Sequence, residues 1–78
     1  MQIVSLLRAL RADVEADVET GRVDGHLGRG VYAYVGALAR LVEDGDRDPG
    51  IALNEARSAA GFLRAVPRLP DVRPWSPR

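Results

Sequence analysis

Between Val31 and Val42 the chain reads VYAYVGALARLV, twelve residues with one charge, Arg40. Val31, Val35, Leu38 and Val42 recur at helical spacing and define one apolar face. Tyr34 and Leu41 widen that face, while Ala33, Gly36, Ala37 and Ala39 keep the rest of the circumference narrow. A helix apolar nearly all round is expected inside a fold, not along its surface. This stretch therefore reads as the central helix of a small bundle, and everything else has to pack around it.

The flanking segments supply two more helices. In Gln2–Thr20, Ile3, Leu7, Leu10 and Val14 alternate steps of four and three, with Leu6 and Val18 beside them. The stripe covers about two heptads, too few to indicate a coiled coil, so it reads as one packed face of a globular bundle. Gly21 is a natural stop for this helix. In Pro49–Val66 the core stripe is Leu53, Ala56, Ala60 and Leu63, flanked by Ala52, Ala59 and Val66. Alanine dominates that face, so this helix can approach its neighbours closely but brings little volume. Phe62 is its one large aromatic residue.

Between the first two helices lies GRVDGHLGRG, with four glycines at 21, 25, 28 and 30. It has no Gly-Lys-Ser/Thr and no strand before it, so the glycines serve a turn and close helix approach, not phosphate binding. The second helix can start with Asp24 as N-cap or only after Gly30; a start near residue 28 is taken as the expectation. His26, the only histidine, reads as a turn or surface residue.

The second connector contains the sharpest motif. Asp44, Asp46, Asp48, Ile51 and Glu55 have the spacing of positions 1, 3, 5, 8 and 12 of a calcium-binding loop, and the segment resembles an EF-hand over those residues. It departs from the family at position 6, where Pro49 replaces the turn glycine. Proline holds φ near −65° and cannot make that turn. The same residues also describe a helix boundary. Gly45 ends the second helix, Asp48 caps the third, and Pro49 takes its first position. The boundary reading is preferred; metal ligation by Asp44, Asp46, Asp48 and Glu55 is kept as a remote alternative.

Composition limits the fold and the chemistry. At 78 residues the chain is near the size at which one hydrophobic core is marginal, and it has no cysteine for a disulfide. All eleven basic residues are arginine, a bias that high-GC bacterial or phage coding would produce. Catalysis lacks material: there is no cysteine or lysine nucleophile, and Ser5, Ser58 and Ser76 have no nucleophile-elbow context. The apolar runs fall short of the ~20 residues that cross a bilayer, and no leader sequence is evident.

Net charge is zero, but its distribution is uneven. Residues 1–55 hold six arginines against ten acids, whereas residues 56–78 hold five arginines against Asp71. Asp13, Glu15, Asp17 and Glu19 crowd the end of the first helix, where the helix dipole disfavours carboxylates. In an up-down-up bundle the first and third helices run parallel. That topology brings Asp13, Asp17 and Glu19 level with Arg64 and Arg68. Beyond Pro67 the segment PRLPDVRPWSPR is too rich in proline for a helix and is expected to be extended.

The sequence thus describes an all-α protein, a small three-helix up-down-up bundle over residues 1–66 with a proline-rich tail over 67–78. Its helices are expected near 2–20, 28–44 and 49–66. The expected function is non-enzymatic: a small helical interaction protein acting as a homo-oligomer, an adaptor or a subunit of a larger assembly in the cytoplasm. Tyr32 and Tyr34 lie roughly 200° apart around a helix, so one must sit at a boundary or meet another chain. With Arg64, Arg68 and Trp75, the tryptophan being a docking anchor in an otherwise polar tail, they form the expected protein contacts. The alternative is a DNA-binding regulator using Asn54, Arg57, Arg64 and Arg68, with arginines gripping phosphate or reading guanine. No cofactor is expected, and the partner is another protein or a second copy of the chain, not a membrane.

Overall fold

The computed structural model describes residues 2–66, which form three helices: α1 (Gln2–Glu19), α2 (Gly25–Glu43) and α3 (Pro49–Ala65). No strand occurs among the described residues. The chain runs up, down and up, with the α1–α2 pair the most extensively packed. The expected tail, with Arg68 and Trp75, lies outside the described residues.

Each helix boundary has a local cause. Thr20 and Asp44 follow the last residues of α1 and α2, and glycines at φ +73° and +77°, Gly21 and Gly45, come next. At the first end, Gly21 N–H donates to the Val18 carbonyl at 3.1 Å and Arg22 N–H to Asp17 at 2.9 Å. At the second, Gly45 N–H donates to Val42 at 3.1 Å and Asp46 N–H to Leu41 at 2.8 Å. This double bond pattern satisfies carbonyls left open at a helix end and needs a left-handed residue, which glycine supplies without strain.

The second helix starts earlier than the expected residue 28. Asp24 Oδ1 accepts from Leu27 N–H at 2.9 Å, so the cap fixes the start at Gly25. The supposed glycine-rich connector is therefore mostly helix, and only residues 20–24 link α1 to α2. Gly28 is buried where the helices approach: a Cβ there would lie 2.3 Å from Val18 Cγ2.

The core forms two connected clusters. Leu7, Val35, Leu38, Ala39, Val42, Ala52 and Ala56 make the larger one, next to the α2–α3 connection. Val14, Val23, Ala60 and Leu63 make the other, and Leu10 and Val31 pack against both. Four of the eleven buried apolar residues are alanine, and no polar or charged residue is buried among the described ones. The core is accordingly apolar and small.

The central helix contributes most to this core, but it is not buried all round. Ala33, Tyr34 and Ala37 are exposed. A three-helix bundle gives each helix two neighbours, which leaves part of the circumference open whatever its composition.

Candidate interaction surfaces

The two tyrosines diverge as their spacing requires. Tyr32 is half-buried, and the Arg11 guanidinium lies over its ring, 4.9 Å from the centroid. A cation over an aromatic face is favourable electrostatically and covers part of the ring. Tyr34 is exposed. An open groove of about 460 Å³ runs along the α1–α2 junction beside Tyr32, with Arg11, Gly36, Arg40, Leu41 and Asp44 on its walls. Gly36 admits Arg11: a Cβ there would stand 3.0 Å from Arg11 Nη1. The sequence carries no local signal for this pairing, because Arg11 and Tyr32 come together only through packing of α1 on α2.

Charged residues tie the helix ends together. Arg64 Nε donates to Asp17 Oδ2 at 3.3 Å, joining the C-terminal halves of parallel α1 and α3. Arg8 Nη2 donates to Glu43 Oε2 at 2.6 Å, joining the start of α1 to the end of antiparallel α2. Asp17 thus gains a cation near the unfavourable end of its helix dipole. Arg68, expected to share this role, lies outside the described residues.

The calcium-loop residues have other work. Asp48 Oδ2 accepts from Ile51 N–H at 3.0 Å as the α3 N-cap, with Pro49 at its first position. Glu55 accepts from Arg47 Nη1 through both carboxylate oxygens, at 3.0 and 3.1 Å. Asp44 is the C-terminal cap of α2. No group of three or more histidine, aspartate or glutamate residues converges as a metal site among the described residues.

On α3, Asn54, Arg57, Ser58, Gly61 and Arg64 are all exposed. Asn54, Arg57 and Arg64 form the polar strip proposed for nucleic acid, but Arg64 is engaged by Asp17.

A different surface is more continuous. Phe62 is two residues before Arg64, so it points roughly 200° away from the side of α3 that meets α1. Tyr34 is related to Tyr32 in the same way on α2. Both are thereby turned away from the α1 contact of their helices and exposed. Leu27 and Leu41 stand seven residues either side of Tyr34, nearly in line with it along α2. Ile51 stands eleven residues before Phe62, three turns away on the same line of α3. Leu27, Tyr34, Ile51 and Phe62 are all exposed, Phe62 by 63% and Ile51 by 54%.

No protein-family model, no curated protein and no solved structure matches this chain. Its surfaces have to be interpreted from their own chemistry. The residues Leu27, Ile51 and Phe62 were not among the sequence-selected contacts. They fall outside the core stripes, and that was the available signal: large apolar side chains at helical spacing with no assigned neighbour.

Proposed function

We propose that this protein is a non-enzymatic helical interaction module, a cytoplasmic homo-oligomer, adaptor or small subunit that completes its apolar burial on another polypeptide. The observation carrying this reading is the mismatch between inside and outside. Among the described residues the largest fully buried side chains are Leu7, Leu63, Val14 and Val35, while Leu27, Tyr34, Ile51 and Phe62 on α2 and α3 are large, apolar and exposed. Isolated exposed apolar residues are ordinary, but an aligned set across two helices is the usual mark of a contact surface. No helix of the described residues is long and apolar enough to cross a membrane, so a lipid core does not account for the set through a spanning helix.

A pull-down of the full chain from its native host, followed by mass spectrometry, tests the reading. It predicts a protein, or a second copy of the chain, retained by the unmodified bait and lost with Phe62→Arg. Equal recovery with both baits would count against it. The DNA-binding alternative has one supporting feature, the exposed Asn54, Arg57 and Arg64 strip. That reading requires a labelled duplex to be shifted with strong salt dependence and the shift to weaken with Arg57→Ala.

A further inference from the structure

We infer that the outer face of α2 and α3 is a self-association surface, and that its occupant is the same face of a second copy of this chain. The inference rests on the interaction reading above and names its partner. Charge is the first argument. Along α2 the line from Leu27 to Tyr34 contains no charged side chain, and Arg29 lies off it; Leu41, further along, is half-buried and lines the groove shared with Arg40 and Asp44. Along α3 the line from Ile51 to Phe62 includes one charge, Glu55, which Arg47 neutralises at 3.0 Å. In a two-fold contact each patch meets its own copy, so any net charge would repel itself. This patch has no uncompensated charge along those lines.

Size is the second argument. Helices of 19 and 17 residues extend about 28 and 25 Å at 1.5 Å per residue. Side by side at about 8–10 Å they present a footprint roughly 25 × 20 Å. That is about 500 Å² per partner, below the ~800 Å² of a standard interface and in the range of small, weakly associating ones. Leu27, Tyr34, Ile51 and Phe62 are exposed along these lines, and Leu41 and Glu55 are half-buried.

Residues 67–78 are a weaker candidate for the same face. They contain Arg68, Arg73 and Arg78 against Asp71. The one carboxylate on the line from Ile51 to Phe62, Glu55, is already paired with Arg47, whereas Asp13, Glu15 and Glu19 on α1 are exposed.

Light scattering on the full chain, from micromolar to millimolar concentration, tests the inference. The expected mass rises toward twice the 8.5 kDa of one chain, with little dependence on salt. Phe62→Arg and Ile51→Arg should each weaken association at least about tenfold, because each places a charge against its own copy. Leu6→Arg, at an exposed apolar position on α1 away from this face, should leave it unchanged. Circular dichroism of each variant verifies the fold, and two independent face positions guard against loss through unfolding of one.

A mass of one chain at every concentration overturns the inference. If Trp75 fluorescence then changes with Phe62→Arg, the occupant is the C-terminal segment. If the pull-down partner is a different protein and is lost with Phe62→Arg, self-association fails while the interaction reading stands. A single-chain mass together with no partner lost by Phe62→Arg removes both. Association that Leu6→Arg abolishes and Phe62→Arg does not would also contradict the assigned surface.

Discussion

Replacing Gly28 by alanine tests how closely α1 and α2 approach. The new Cβ would lie 2.3 Å from Val18 Cγ2 and 3.4 Å from Val23 Cγ2. Non-bonded carbons rest at about 3.5–4.0 Å, so the first contact requires a shift of more than ~1 Å. Val18 cannot easily supply it, since a β-branched side chain in a helix has one strongly preferred rotamer. Overpacking of this kind costs about 1–3 kcal/mol. Exchange of glycine for alanine inside a helix returns about 1 kcal/mol, leaving Gly28→Ala about 1 kcal/mol less stable than the parent.

Gly30→Ala is the matched control, because nothing lies within 4 Å of its Cβ position. That change should stabilise by up to about 1 kcal/mol. The two variants should thus differ by about 2 kcal/mol, or roughly 8–16 °C in Tm for a domain of this size. Thermal melts by circular dichroism, at one fixed protein concentration, read the difference. In the Val18→Ala background the Gly28→Ala penalty should shrink by at least ~1 kcal/mol, since the clashing methyl is gone. Equal Tm values for Gly28→Ala and Gly30→Ala would refute the close approach, and with it the register of α1 on α2.

Other substitutions test the rest of the account. Leu38 is 2% exposed, so Leu38→Asp should abolish cooperative melting by placing an unpaired charge in the core; a well-folded variant would contradict the bundle. Asp48→Ala should destabilise by about 1 kcal/mol through loss of the α3 cap. Calorimetry of the parent chain with calcium should show no micromolar binding, and a micromolar isotherm would restore the metal reading of Asp44, Asp46, Asp48 and Glu55. A double-mutant cycle of Asp17→Ala and Arg64→Ala should give a coupling of about 0–1 kcal/mol that diminishes in high salt. A coupling unaffected by salt would show that the pair does not act electrostatically.

The helices were legible because their apolar periods and stop signals agree. Leu7 and Val14 on α1, Val35, Leu38 and Val42 on α2, and Ala56, Ala60 and Leu63 on α3 all occupy the expected core faces. The Gly45, Asp48 and Pro49 boundary was readable because it depends only on neighbouring residues. The start of α2 was less so: four glycines suggested a loop, but a single cap at Asp24 and packing of Gly28 against Val18 extend the helix through them. The surfaces were harder still. Arg11 over Tyr32 and Phe62 in line with Ile51 depend on which side of each helix meets its neighbour. Periodicity places residues on a face but does not say which faces remain uncovered after packing. The charge split was more informative, because parallel α1 and α3 leave Asp17 and Arg64 few other places to meet.

The central claim is that the chain completes its burial on a second copy through α2 and α3. Its most direct test is the Tm of the full chain measured over about a hundredfold range of concentration, since mass action on a dimer can shift stability by up to about 2.7 kcal/mol over that range. The account predicts a Tm that rises by several degrees across the range, and a Phe62→Arg variant whose Tm stays level. A parent chain with the same Tm at every concentration, and a single-chain mass throughout, would contradict it.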